Sequence, residues 1–405
     1  MRPIRGIWLL CLLMLSVTGK GQPLNDTIDR LSPDFVSASV IIAEPGEVLY
    51  SVLGHACLHL QCPAYELDYI FSYESEDARK KVLRFLTGDL LMGMARFCPD
   101  DFLQSYRKAE RGMQEYVLHL PPEVKTELWR ICDEEVALGM VQEYDPVQRG
   151  CAIAIIHEVE NAVLAANERY GMHYHINYPE WGAPFDRTMR EIFYDNAPHG
   201  WGSFWCMTFA GGVADNSHLS HKEKLICPRE LVDVWQHSTI DGTPLLGSPE
   251  SLLSFDEKHA AVVWTPLVCS LIMLLLASIG LFWRRSYIDW LVLALQTILG
   301  CLVVWMWLMP LPATGFTWLV VPFNPLPVIC WKWRDKWAKW YVLVVVLWCI
   351  GMLCAPHRLV EPAHVIFAVS FGMVLFKQTP IFTKNICVFR RKVVSLRPIC
   401  RTKAI

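Results

Sequence analysis

The feature that most constrains this chain is a series of apolar runs that begins at Ala261 and continues nearly to the end: 261–283, 288–309, 317–331, 340–354 and 363–376. A helix needs about 20 apolar residues to cross the hydrocarbon core of a bilayer. The first two runs meet that length. The third is short and broken by Pro322, Pro325 and Pro327, so it is expected to be re-entrant or packed within a bundle. Five spans in an all-α transmembrane bundle is the working count.

Charge divides the chain at the same place. Beyond residue 260 there are three acids, Asp289, Asp335 and Glu361, against fifteen Lys and Arg, a formal +12. The whole chain holds 37 bases and 40 acids, which leaves 22 bases against 37 acids, a formal −15, in the first 260 residues. A content of 53% apolar and 19% charged residues excludes a disordered chain or a nucleic-acid binder.

Two cations, Arg2 and Arg5, precede a short apolar run from Ile7 to Val17, and small residues follow at Thr18, Gly19 and Gly21, the pattern of a secretory signal. Cys11 lies inside that run, so no lipoprotein-type processing site is expected. With the next segment exported, the first span runs inward and alternate loops should carry the cations. They do: Arg284 and Arg285 follow the first run, Lys332, Arg334, Lys336 and Lys339 the third, and a basic tail the fifth. Trp283, Trp331, Trp333, Trp337 and Trp340 fall at the expected interfaces. The organisation expected is therefore a signal peptide over 1–21, an exported domain over 22–260, a transmembrane domain over 261–377 and a cytoplasmic tail over 378–405. On this topology residues 22–260 lie outside the cytoplasm.

Within 22–260 the pattern is α+β. Residues 36–42, 55–62 and 68–73 alternate as strands do, with His55, Cys57 and His59 on one face of the second and Tyr69, Phe71 and Tyr73 on one face of the third. Three neighbouring strands suggest an antiparallel sheet. Helices are expected over 76–87, ending at Gly88, and over 100–110, 122–140 and 151–166, with apolar residues in the last at helical spacing.

Seven cysteines lie in the exported part: Cys57, Cys62, Cys98, Cys132, Cys151, Cys206 and Cys227. An oxidising compartment can pair six and leave one over. A reactive thiol needs a lowered pKa, which the unpaired N–H groups of a helix N-terminus provide. Cys151 is the exported cysteine expected at such a start, and His55, after Gly54 at the beginning of a strand, is the candidate base. Judged by residue type alone, Cys151 would be a disulfide half or a buried thiol; its position singles it out. His173, His175, His199, His218 and His221 show no zinc-motif spacing, and no metal or cofactor is expected.

Tyr50-Ser-Val-Leu-Gly-His-Ala-Cys-Leu-His59, Asp68-Tyr-Ile-Phe-Ser-Tyr73, Phe85-Leu-Thr-Gly88, Tyr106 to Arg111, Tyr144-Asp through Gly150-Cys151 and the run Cys227 to Ile240 together resemble the periplasmic domain of the Bacteroidota proteins called Lnb. The multi-span tail resembles theirs too. The resemblance implies a permuted papain-like (NlpC-type) fold, in which histidine precedes cysteine. It also implies a lipoprotein N-acyltransferase that moves an acyl chain from membrane phospholipid to the N-terminal amine of diacylglyceryl lipoproteins. On that resemblance the nucleophile is Cys151 and its histidine His55. His59 or Asp68 would orient His55, and the sequence leaves the choice open. The chain departs from the family pattern at Arg149-Gly150, at Ala154 and at His59. An Arg149 near Cys151 would favour the thiolate. Asn324 and His364 are candidates to line the lipid route, or simple packing groups. Alternative readings are a peptidoglycan cysteine endopeptidase and a non-catalytic relative that binds lipid or protein.

Overall fold

The structure, a computed structural model, describes residues 30–46, 51–77, 80–145, 149–179, 187–215, 224–255, 264–282, 286–311 and 313–379. The signal-like segment, Trp283 to Arg285, His218 and His221, and the basic tail beyond 379 lie outside the described residues.

The N-terminal part is mixed α+β, built on an antiparallel sheet. Strands β1 (Ser37–Ala43), β2 (His55–Cys62) and β3 (Leu67–Ser75) pair in sequence, as their alternation predicts. They are extended by β4 (Leu91–Phe97), β5 (Met113–Leu118), β6 (Gln142–Glu143) and a late strand, Leu246–Leu253, into a sheet of seven. The late strand pairs with β5, so the chain as far as Leu253 belongs to this sheet.

The period of two in each strand gives the sheet two faces. One carries Val40, Ala56, Leu58, Phe71 and Met94 into the main core, beneath helices over Pro122–Leu138 and Cys151–Tyr170. The other carries Ile41, Cys57, Ile70 and Met113 into a smaller core closed by Phe102, on the helix Pro99–Lys108. In chain order the helices are α1 (Val82–Thr87), α2 (Pro99–Lys108), α3 (Pro122–Leu138), α4 (Cys151–Tyr170), α5 (Met189–Asn196), α6 (Trp201–Phe209) and α7 (Pro228–Trp235). The buried stripe of α4, including Ile155, Ile156, Val159 and Ala162, fixes that helix against the sheet. Each such Ile or Val contributes about 1.5–3 kcal/mol by leaving water.

The C-terminal part is helical: α8 (Pro266–Phe282), α9 (Ser286–Leu308), α10 (Arg334–Cys354) and α11 (Pro362–Lys377). Tyr287–Leu308 and Trp331–Cys354 are long and apolar enough to cross a membrane, whereas Pro266–Leu281 and Pro362–Lys377 are shorter apolar helices.

The expected third span is corrected in form. It is an irregular segment with one 3-10 turn at Trp318–Val320 and one helical turn at Leu326–Ile329. Its start lies beside the α+β part, where Gly211 N donates to Ala313 O (2.8 Å) and Gly212 N to Phe316 O (2.9 Å). Its end lies at the opposite end of the bundle, where Trp331 packs on Trp290 at 5.0 Å between ring centroids. The prolines remove N–H donors and forbid a continuous ladder. Side chains take over: Gln296 Nε2 donates to Pro322 O (2.9 Å), Asn324 Nδ2 to Val321 O (2.8 Å) and Trp348 Nε1 to Trp318 O (2.8 Å).

The two parts are mortised together. Arg190, 1% exposed, donates to the carbonyls of Met207 and Ala210, to both oxygens of Asp215 and, in the C-terminal part, to Thr317 Oγ1 at 3.5 Å. Phe204 of α6 stacks on His364 of α11 at 4.3 Å. Glu191 accepts from Arg358 N at 2.9 Å.

Candidate active site

Three local features place the residues of the site. Gly54 sits at φ +87°, and a Cβ there would lie 2.8 Å from the carbonyl oxygen of Ala43. Only glycine fits that turn without strain, and it delivers His55 to the first position of β2. Gly150, in an extended conformation, caps α4 so that Cys151 is its first residue. The α4 stripe then docks on the face of β2 that carries Ala56 and Leu58.

The structure brings His55 and Cys151 near enough for each to shift the other's titration. Burial alone would push the Cys151 thiol up. The His55 ring outweighs it, helped by the backbone N–H groups of Ala56 and Ala152, so the thiol lies below its ordinary value. For His55, burial works downward, but Cys151 and then Glu74 outweigh it against an opposing Arg111, and the ring lies above its ordinary value. The two shifts favour a thiolate–imidazolium pair.

His55 is oriented by neither of the residues the sequence suggested. Its Nε2 lies 2.7 Å from Ser72 Oγ, whose single proton is donated to Glu74 Oε1 at 2.8 Å. Ser72 can therefore only accept from the ring, so Nε2 carries a hydrogen and Nδ1 is left to meet Cys151. Glu74 itself lies 3.8 Å from Nε2. Tyr144, partly buried against the same core as Cys151, has its hydroxyl pushed up to about 12, by burial first and then by the thiol.

His59 is elsewhere. Its Nδ1 meets Glu115 at 2.6 Å and its Nε2 meets Asp68 at 2.7 Å, and Ser39 also donates to Glu115. Two carboxylates accept from two ring nitrogens, so His59 is held as an imidazolium and cannot serve as a base or position His55. Burial would lower it, but the bonds to Glu115 and Asp68 raise it. Burial raises Glu115, and the bonds from His59 and Ser39 bring it below the usual carboxylate range.

Arg149 does not supply charge to the thiol: its guanidinium donates to Glu143 O at 3.2 Å. Cys57, Cys62, Cys98, Cys132, Cys151, Cys206 and Cys227 are all thiols, with Cys57 and Cys132 buried in different cores. Asn324 and His364 are both tied into packing contacts. Asn324 bonds to Val321 O and Tyr341 Oη, and fully buried His364 accepts from Glu361 N at Nδ1 (3.1 Å) and meets Thr208 Oγ1 at Nε2 (2.9 Å).

Sequence reasoning missed Ser72, Glu74 and Arg111. The signal was there in β3, where the face opposite Tyr69, Phe71 and Tyr73 carries polar groups at alternate positions beside the start of β2.

An antiparallel α+β domain with a thiol and an imidazole joined at a helix start defines the class. Residues 25–178 match the family described as the Lnb N-terminal periplasmic domain. No curated protein and no solved structure matches the chain.

Proposed function

We propose that the chain is a lipoprotein N-acyltransferase working through a Cys151 thioester, on a permuted papain-like arrangement in which His55 precedes the nucleophile. The observation that carries this reading is the nearness of His55 to Cys151 at the start of α4, in a segment matching the Lnb N-terminal periplasmic domain and joined to an apolar helical bundle.

In the first half-reaction the Cys151 thiolate attacks a phospholipid ester carbonyl. The N–H groups of Cys151 and Ala152 hold the oxyanion. The ester C–O bond breaks, His55 gives its Nδ1 proton to the leaving oxygen, and a thioester and a lysophospholipid result. In the second, the lipoprotein's α-amine attacks the thioester, His55 takes its proton, and the thiolate leaves as the amide forms. A thioester suits the task because amines attack it more readily than an oxygen ester, so one hard aminolysis becomes two easier steps. Ser72 and Glu74 act as positioning residues, holding Nδ1 toward sulfur and supporting the imidazolium.

The test is expression of Cys151→Ala and His55→Ala in cells lacking other N-acylating enzymes, with lipoprotein N-termini read by mass spectrometry. Both variants should leave free amines. Full N-acylation in either sinks the dyad. The wild-type domain should leave purified sacculi uncut, which separates this reading from peptidase chemistry.

A further inference from the structure

Helix α1 turns apolar side chains outward: Val82 is 51% and Leu83 79% exposed. The turn between α3 and β6 does the same with Leu138, Met140 and Val141. These two segments flank the start of β4. The Gly139–Met140 backbone lies against Gly93, and Tyr144 N donates to Leu90 O at 2.7 Å. Together they set exposed apolar side chains on both sides of the start of β4, an apolar lip of the kind that soluble surfaces rarely leave facing water.

Position identifies what covers the lip. Phe85 of α1 packs edge-on against Trp305 near the end of α9, with ring centroids 6.0 Å apart. Gly88 sits against Pro310, so near that a Cβ would lie 3.0 Å from the proline ring. The lip thus continues the outer wall of the bundle at the level where Trp307 and Leu308 are themselves exposed. Lys80 and Lys81 stand just before α1, and Arg84 on it is paired with Glu76 at 2.9 Å, in a domain whose overall charge is strongly negative. Apolar side chains flanked by cations are the pattern of a segment seated at the junction of lipid headgroups and acyl chains.

We infer that α1 and the Leu138–Val141 turn form a bilayer-docking surface that seats one edge of the exported domain in the outer-leaflet acyl chains. A second protein would not need the surface to run on into the lipid-facing wall of the bundle. The docking rests only on the bundle crossing a bilayer.

The test uses the full chain in nanodiscs of phosphatidylethanolamine and phosphatidylglycerol that contain a phospholipid with a diazirine near the carbonyl end of one acyl chain. After irradiation, adducts are mapped by mass spectrometry. Adducts on peptides covering 82–85 and 138–141, beside those on the bundle helices, are expected. Labelled bundle helices with both segments bare would overturn the proposal. In Val82→Asp/Leu83→Asp the adducts at 82–85 should disappear while alkylation of Cys151 persists, which shows the domain is still folded; adducts that survive this change also overturn it. Acyl transfer is not read, so failure of the enzymatic reading leaves this result standing.

Discussion

At the scale of single residues, the pair of His55 and Cys151 makes opposite demands on pH. The thiol lies below its ordinary value and the ring above its own, so each shift raises the share of thiolate paired with imidazolium over that of two isolated groups. Alkylation of Cys151 followed against pH should therefore turn on below the ordinary thiol range of about 8.5. In His55→Ala the turn-on should move upward, since the largest lowering influence is gone. A profile that does not move would remove His55 from the role. Glu74→Gln deletes one charge that holds the ring protonated and should slow the proposed N-acylation on the order of tenfold, about 1.4 kcal/mol in the barrier. His59→Gln should leave the alkylation profile unchanged and alter stability instead. The sign follows from the shifts. His59 is raised, so its contribution is full below about 6.5 and fades as pH rises through its folded value; Glu115 is lowered, so its contribution is full above about 4.3 and fades as pH falls. The melting difference between wild type and His59→Gln should be greatest between about pH 4.3 and 6.5. A difference that is flat across pH would mean the cluster contributes no charge-dependent stability.

At the scale of elements, what could be read from the chain depended on how cleanly each segment showed its period. Strands β1 to β3 alternate, and α4 repeats its apolar residues every three or four positions, so both were legible. Strand β4, Leu-Met-Gly-Met-Ala-Arg-Phe, lacks β-branched residues and carries a glycine, while the late strand at 246–253 is an edge with Ser, Pro and Glu facing water. Neither shows strand chemistry on its own; the sheet neighbours decide. The helix expected over 76–87 is confined to Val82–Thr87, because Glu76 N pairs with Leu91 O and ties that residue to β4. The site divides the same way. His55 and Cys151 were visible because each sits at an element boundary marked by glycine, whereas Ser72 and Glu74 matter only once β3 lies beside β2. Core packing of α4 makes a separate prediction: Ile156→Ala removes a fully buried side chain and should cost about 2–5 kcal/mol, read as a lower melting temperature in detergent.

At the scale of the whole molecule, the exported domain and the bundle share structure instead of merely touching. Arg190 braces that joint from the domain side: its guanidinium satisfies two carbonyls and Asp215 and reaches Thr317 Oγ1 in the irregular segment at 3.5 Å. Arg190→Leu strands those carbonyls and should cost roughly 3–5 kcal/mol, the penalty for breaking a buried charged pair. Limited proteolysis should then cut first between α5 and the bundle. A variant as resistant as wild type would show that the joint bears little load.

The irregular stretch between Thr317 and Trp331 has a consequence for biogenesis. Its carbonyls are met by Gln296, Asn324, Tyr341 and Trp348, which belong largely to the helices before and after it. Alone in hydrocarbon it would be an unpaired backbone, a state that a bilayer does not tolerate. It must therefore wait at the translocon until α10 has been synthesised, so that the second half of the bundle inserts as one cooperative unit and not helix by helix.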